Sequence, residues 1–462
     1  MSENGEQHMR RRVSHAEAAA VAMTEGSIAG SMLRFAVPLF LGQLLQQFYN
    51  MADAWVVGNF VDNNAFAAVS SGGNLTFLII GFFNGIAIGG GVVISRYYGA
   101  QDKENVQRAI HTNFLFGILA SIVATVAGLL LVPQILVWMN TPESVLPDSL
   151  TYFRIYFAGV STVVLYNICM AVMRALGDSL HPLYYLIIST VVNIILDLLF
   201  VAVFHWGVGG AAIATVIAQG LSTVLCIVRM CRLKDYTRLD FRQLRFHKDM
   251  MLKVVRQGLP TGIQNSVISV GNLVVQTNIN SFGAFAMSGH GAYSKVEGIV
   301  FLPITSISMA LPTFISQNLG AKKYERAKRG AVFGILSGMI LAELVGIAFF
   351  FGAEYALRFF VDSAEAVSYG VIHTRTVCLF FFLLAFSHCA AGVLRGCGKS
   401  FIPMITMLSF WCGVRIIYVT IALKFFPVFR TISWAYPLTW FLSSLVFLGF
   451  LVKSDWTKGL EM

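Results

Sequence analysis

The chain has 462 residues, of which 56% are hydrophobic and only 12% charged, and Phe alone contributes 38. A soluble domain carries about 25% charged residues, so no soluble fold of this length could hide so much apolar surface. The net charge of +10 is not a nucleic-acid signature: its largest block, Arg229 to Arg256, is interleaved with Leu, Phe and Asp and reads as a connector lying against anionic lipid.

The first 30 residues are polar, with Arg10-Arg11-Arg12 and no apolar core, so they predict a cytoplasmic segment and not a cleavable signal peptide. Apolar runs long enough for ~30 Å of hydrocarbon then recur along the chain. They fall at about 32–58, 66–95, 111–137, 152–174, 183–204 and 208–230. A second set follows at about 253–280, 286–316, 330–352, 368–393, 402–425 and 432–452. None alternates with period two, which predicts helices and not an outer-membrane barrel.

Charge sets the topology. The N-terminus, the connections after spans 2, 4, 6, 8 and 10, and the C-terminus hold 26 of the 33 Lys and Arg. The opposite connections hold Arg154, Arg358, Lys424 and Arg430, while Lys295, Arg375 and Arg415 fall inside spans. Positive residues stay cytoplasmic, which predicts twelve spans in the cytoplasmic (inner) membrane with both termini inside.

The chain also repeats itself. At an offset of 221, Ile94, Ser95, Gly99, Ala100, Glu104 and Arg108 recur as Ile315, Ser316, Gly320, Ala321, Glu325 and Arg329. Arg174, Gly177, Ser179 and Pro182 recur as Arg395, Gly398, Ser400 and Pro403, and with one residue of slippage Pro38 pairs with Pro260. Six spans is an even number, so the halves are parallel repeats about an axis along the membrane normal, enclosing a central cleft. The expected organisation is a cytoplasmic segment over 1–30, a six-helix lobe over 31–230, a basic linker over 231–252, a second six-helix lobe over 253–452 and a tail over 453–462.

Ionisable groups inside spans are functional candidates by default. Residues three or four apart share a helix face, so Gln46, Tyr49, Asn50 and Asp53 form one polar stripe on span 1, and Asn193 lies one turn from Asp197 on span 5. Both acids fall in the outer half of the membrane at comparable depth, and Asn167 on span 4 can join them. Two carboxylates with amide neighbours can hold one Na⁺ or share a proton. Under the repeat, Asp53 falls on Val275 and Asp197 on Tyr418, which restricts this coupling site to the first half. Pro38, fifteen residues before Asp53, removes a backbone hydrogen bond and is a candidate hinge. In the second half, Lys295, Glu297 and Arg415 either pair internally or, with Gln46, Tyr49 and Tyr166, line the substrate cavity. Glu343 is isolated in an apolar stretch, and His290, His373 and His388 share no ligand spacing.

Seven cysteines without a CxxC pair read as packing residues, with no disulfide and no metal. Gly398-Lys399-Ser400 lacks the first P-loop glycine, since residue 393 is Val. No nucleotide site and no cofactor are expected, and the driving force is an ion gradient.

The order of these features resembles the multidrug and toxin extrusion (MATE) family over about residues 25–455. The resemblance is carried by Pro38, Gln43 and the run Gln46-Gln47-Phe48-Tyr49-Asn50-Met51-Ala52-Asp53. To these are added the Gly-Ala turn after span 2, Arg174-Ala-Leu-Gly-Asp-Ser after span 4, and Asn193-Ile-Ile-Leu-Asp197 in span 5. It implies a bacterial DinF-like branch, in which a bent first helix and an Asp cluster in the N-terminal half serve cation coupling. The acids of the NorM-like branch on helices 7 and 10 have no counterpart, since no Asp or Glu lies between Arg256 and Lys295 or between Ser368 and Val393.

The expected function is antiport: an amphipathic, cationic small molecule leaves the cytoplasm as H⁺ or Na⁺ enters. Aromatic faces such as Phe48, Tyr49 and Tyr166 suit such cargo, and the protein is expected to act as a monomer. The alternative is a lipid-linked saccharide flippase of the wider superfamily, which needs a wide cleft lined by several cations. An intramembrane enzyme would need a motif such as HExxH or GxSxG, and neither occurs.

Overall fold

The computed structural model describes residues 23–61, 73–138, 141–233 and 235–457; Arg10 to Arg12, the start of the run at 66–95 and the end of the tail lie outside them. The helices make twelve passes. In the first half these are Ile28–Phe60, Gly73–Gly99, Lys103–Trp138, Leu146–Ala158 with Val160–Ala175, Leu180–Asp197 with a π-helical turn over Leu198–Val203, and Gly207–Arg232. The second half has Lys248–Asn280, Ala284–Val300 with Leu302–Gly320, Tyr324–Arg358 and Ala364–Val377 with Phe381–Gly396. It ends with Phe401–Met407, a π-helical turn over Leu408–Val414 and Arg415–Phe425, then Phe429–Lys453.

Nine of these passes are long and apolar enough to cross a membrane on their own. Spans 4 and 8 qualify as pairs of helices, each bent by 47°. The bends fall where the sequence permits them, at Gly159 and just before Pro303. Span 7 is the exception. Gln257, Thr261, Gln264, Asn265 and Asn272 make it polar, and it avoids lipid by packing along span 2 between the lobes. The lipid-facing surfaces carry exposed Leu130, Leu344 and Phe351, which a bilayer accommodates and water would not. Six of the seven cysteines are buried and Cys231 is half-buried, none in a disulfide among the described residues.

The duplication extends to backbone detail. Gln101 and Lys322, equivalent under the offset, both adopt φ 57°, and Gly177 and Gly398 adopt φ 90° and 80°. The turns close with matching hydrogen bonds: Asp178 N–H donates to the Met173 carbonyl as Lys399 N–H donates to that of Leu394, both at 2.9 Å. Where the lobes meet, the contact is reciprocal. A side chain at Gly99 would collide with the Gln317 carbonyl, and one at Gly320 with that of Arg96. Since Arg96 and Gln317 are themselves equivalent, spans 2 and 8 cross on the pseudo-twofold axis, as in an isologous dimer.

Both ends of the described chain lie on one face, where Met23 and Trp456 share an apolar cluster with Phe35, Phe314 and Leu319. Among the described residues, the side-chain hydrogen bonds between lobes are confined to the half nearer that face. Ser316 Oγ donates to the Val92 carbonyl at 2.7 Å and Gln317 Nε2 to that of Ala175 at 2.8 Å. Lys253 Nζ donates to Tyr97 Oη at 2.6 Å. The contacts farthest from it are Gln43 with Thr305 and Ser306, at 2.7 and 2.9 Å, and Asn265 Nδ2 with the Gly81 carbonyl at 3.0 Å. At 1.5 Å of rise per residue, Gln43 and Asn265 lie about midway along their helices. The side-chain hydrogen bonds that join the lobes therefore lie toward the face bearing the termini, and among the described residues none lies beyond mid-helix.

Candidate functional site

Beyond the last inter-lobe contact, span 1 continues to Phe60 and presents its polar stripe to the interior of the first lobe. At about 100° per residue, Gln46 and Asp53 nearly coincide in projection, with Tyr49 to one side and Asn50 to the other. The lobe takes up one edge of this stripe. Tyr49 and Asp53 are buried, Gln46 is half-buried and Asn50 is exposed. Asn50 therefore stands outside the buried cluster that its helical spacing suggested.

Asp197 is the last residue of its α-helical segment, where span 5 passes into the π-helical turn. Such a turn re-aims the side chains beside it and is frequent at functional sites. Asp197 and Asn193 are buried, and Asp53 and Asp197 are close enough for their charges to interact. Tyr49 and Tyr152 lie within charge range of both acids, with Tyr156 next to these tyrosines and Thr215 beside the Tyr49 hydroxyl. The polar atoms here are largely unsatisfied among the described residues. Both carboxylate oxygens of Asp197, Oδ1 of Asp53, both amide atoms of Asn193 and the hydroxyl of Thr190 have no hydrogen-bond partner, while the Tyr49 and Thr215 hydroxyls lie beside each other. Buried polar groups are nearly always paired, so six such atoms on two helices mark a site whose chemistry suits a bound partner. Oxygen donors of this kind suit a proton or a hard cation such as Na⁺.

Asn167 belongs to a different place. It donates to the Val163 carbonyl at 2.8 Å and lines a cavity between the lobes with Asn84, Arg174, Ser308, Thr313 and Arg395. Tyr166 is buried in the apolar cluster around Val172 and Cys226, and Phe48 is exposed, so neither presents a ring to that cavity. Pro38 is buried within one unbroken helix from Ile28 to Phe60; the expected bend is not a break in this state.

The second lobe resolves its charges differently. Arg415 is buried and donates through Nη2 to Thr439 Oγ1 at 3.0 Å and through Nη1 to Asn272 Oδ1 at 3.4 Å. Its guanidinium lies 4.4 Å from the centroid of the Tyr436 ring. Glu297 accepts from the Tyr293 hydroxyl at 2.8 Å. The expected Lys/Arg–Glu ion pair is absent among the described residues: Lys295 is exposed, and neither cation comes within 4.0 Å of Glu297. A hydroxyl and an amide already hold the fork of Arg415 from both sides. His290 and His373 stack edge-on with ring centroids 4.9 Å apart, and His373 Nδ1 bonds Ser433 Oγ at 2.8 Å. His388 packs on Phe301 and Trp411, and Glu343 is half-buried on span 9. No group of three His, Cys, Asp or Glu among the described residues is arranged to hold a metal.

Sequence reasoning missed the two cavity arginines. Arg174 and Arg395 sit next to the last residues of their helices, Ala175 and Gly396, where charge-counting assigns them to connections. The signal that could have found them was the repeat, which keeps an arginine at both positions.

The family model described as MatE matches the chain twice, over residues 38–199 and 260–421. The chain is 30% identical over 400 residues to "Probable multidrug resistance protein YoeA" of Bacillus subtilis (strain 168), covering 84% of this chain and 86% of that one. It is 25% identical over 389 residues to "Probable multidrug resistance protein YpnP" of the same organism, covering 84% and 87%. A multidrug resistance MATE family transporter of the MOP superfamily, solved in an outward-facing conformation, shares the fold with a TM-score of 0.87 at 18% identity, over 94% of this chain and 99% of that one. These relatives do not favour the saccharide-flippase reading. Matched by the family model in both of its halves, the chain belongs to the MatE family of multidrug transporters.

Proposed function

We propose that the protein is an H⁺- or Na⁺-coupled antiporter that exports amphipathic small molecules across the cytoplasmic membrane, with Asp53 and Asp197 as the coupling site. The observation that carries this reading is the cluster of unsatisfied polar atoms around two neighbouring acids, buried in one lobe only. The positive-inside rule puts the face bearing the termini, where the lobes are bonded to each other, in the cytoplasm, so a cleft between the lobes opens to the outside. An entering cation then meets the acids from that side. Its binding neutralises a pair of like charges that otherwise repel within a site of low dielectric, and span 1, which carries both Asp53 and the lobe contact at Gln43, conveys the change to the seam. Pro38 leaves the Arg34 carbonyl without its helical partner and provides the place where span 1 bends.

Inverted vesicles with a pH or Na⁺ gradient imposed separately test the proposal. Wild type should transport under one gradient, and Asp53→Asn should lose at least about 90% of that gradient-driven rate, as expected for removal of a titratable intramembrane group. An undiminished rate in Asp53→Asn ends the assignment. Pro38→Ala restores the backbone donor and should slow transport severalfold; normal turnover would remove the hinge while leaving the acids in place.

A further inference from the structure

The cavity between the lobes has a chemistry that the coupling site does not explain. Its walls come from spans 2 and 4 of the first lobe and spans 8 and 10 of the second, with Asn84, Asn167, Arg174, Ser308, Thr313 and Arg395 as its polar lining. No carboxylate lines it. Arg174 and Arg395 come from different lobes, occupy equivalent positions in the repeat and stand at the end nearer the face bearing the termini. Among the described residues neither is in an ion pair within 4.0 Å. The Nε of each is buried without a hydrogen-bond partner. Arg395 is held from behind by Gln264, whose Oε1 accepts from Nη2 at 3.1 Å, and Gln264 is itself buried on span 7. Both guanidiniums border one cavity whose lining supplies no counter-charge.

We propose that this cavity is a binding site for an amphipathic anion, whose carboxylate, sulfonate or phosphate head is held between Arg174 and Arg395. Guanidinium forks match the geometry of such heads. The amides of Asn84 and Asn167 and the hydroxyls of Ser308 and Thr313 supply further donors, while Ile88, Met170, Met309 and Pro312 accept an apolar body. The proposal rests on the export reading and specifies its cargo. It replaces the cationic cargo suggested by aromatic content, since Phe48 and Tyr166 lie away from the cavity. Because each lobe contributes one arginine, an anion spanning both favours the state in which the lobes meet on the face bearing the termini.

The test uses the purified full chain in zwitterionic phosphatidylcholine nanodiscs with no ion gradient. Its probes are a matched fluorescent series: 1-pyrenebutyrate, 1-pyrenebutanol and 1-pyrenebutyl-trimethylammonium. Wild type should bind the carboxylate at least about tenfold more tightly than the alcohol, and Arg174→Gln or Arg395→Gln should each remove at least about tenfold of that affinity, the scale of one charge-assisted hydrogen bond. Arg174→Lys and Arg395→Lys keep the charge but not the fork and should fall between; they carry the test if a Gln variant does not fold. Adding phosphatidylglycerol separates two sources of the anion: weakened pyrenebutyrate binding identifies lipid headgroups as occupants of the same site, and unchanged binding identifies a soluble anion. Equal or tighter binding of the trimethylammonium probe, or unaltered carboxylate binding in variants that fold, overturns the proposal. Failure of the coupling reading shows elsewhere, as undiminished gradient-driven transport in Asp53→Asn.

Discussion

The two lobes share one backbone plan and fill the same place in opposite ways. The two family-matched segments are equal in length, so their ends pair Pro38 with Pro260 and Leu199 with Ile421. In that register Asp53 corresponds to Val275 and Asp197 to Val419, one residue beyond Tyr418. In the second lobe Val275 and Val419 belong to one apolar cluster with Ile279, Phe429 and Ile432, and Tyr418 packs against it. In the first lobe the corresponding acids lie in mutual charge range with their oxygens largely unpartnered. The second lobe does bury a charge, at Arg415, but supplies it with Thr439, Asn272 and a Tyr436 face. A satisfied buried charge fixes one arrangement of its neighbours. A buried pair without such partners leaves its neighbours free to rearrange when its charge changes. Under the proposed coupling, this difference is a division of labour, with the first lobe responding to the cation and the second providing a rigid counterpart.

The largest effect that could break this comparison is expected at Asp197. Asp197→Asn keeps the shape and removes one of the two titrating groups, so gradient-driven transport should fall by at least about tenfold, with Asp53→Asn and the double variant no worse than the single ones, as for groups acting as a unit. Stability should move the other way. A buried carboxylate with neither oxygen hydrogen-bonded and a like charge nearby is costly, and its amide analogue should raise the Tm of the detergent-purified protein. Additive losses of transport in the double variant would mean two independent sites.

This contrast was only partly legible in the sequence. Hydropathy and charge parity reveal spans, but span 7 fails the apolar test because its polar side chains face another helix and not lipid. The helical spacing of Gln46, Tyr49, Asn50 and Asp53 defines a stripe, whereas which edge of that stripe is buried depends on spans 4, 5 and 6. That choice leaves Asn50 outside. The asymmetry of the acids is visible because a duplicated chain provides its own control. The partners of Arg415 are not visible, since Asn272 and Thr439 lie 143 and 24 residues away and no local pattern marks them. Arg174 and Arg395 were hidden by the rule that set the topology: a cation at a helix end counts as an anchor until a cavity is seen beside it.

A smaller effect, of opposite sign, is expected at Arg415. Arg415→Met preserves much of the volume and removes the cation, leaving Asn272 Oδ1 without its donor and Tyr436 without its stacked partner. Unsatisfied buried acceptors cost about 1–3 kcal/mol, and a desolvated cation–π contact adds up to about 2 kcal/mol. Arg415→Met should therefore lower Tm by several degrees, while the remaining folded protein keeps its choice of driving ion. If Arg415→Met raised Tm as Asp197→Asn should, the distinction between a satisfied and an unsatisfied charge would lose its meaning here.

The smallest effect sharpens the same distinction, at Glu297. Its carboxylate accepts the Tyr293 hydroxyl at 2.8 Å, and the Tyr293 ring packs on His373 with centroids 4.4 Å apart. Glu297→Gln keeps an acceptor for Tyr293 and loses only the charge-assisted part of the bond, a loss of about 1 kcal/mol. Transport should stay within about twofold of wild type under either gradient, since about 0.4 kcal/mol corresponds to that factor. Tyr293→Phe should lower Tm further than Glu297→Gln, because it removes the whole hydrogen bond and leaves the Glu297 carboxylate without its donor. A tenfold loss of transport in Glu297→Gln with Tyr293→Phe unaffected would instead make Glu297 a second titrating acid, and would move part of the coupling into the lobe assigned here to rigidity.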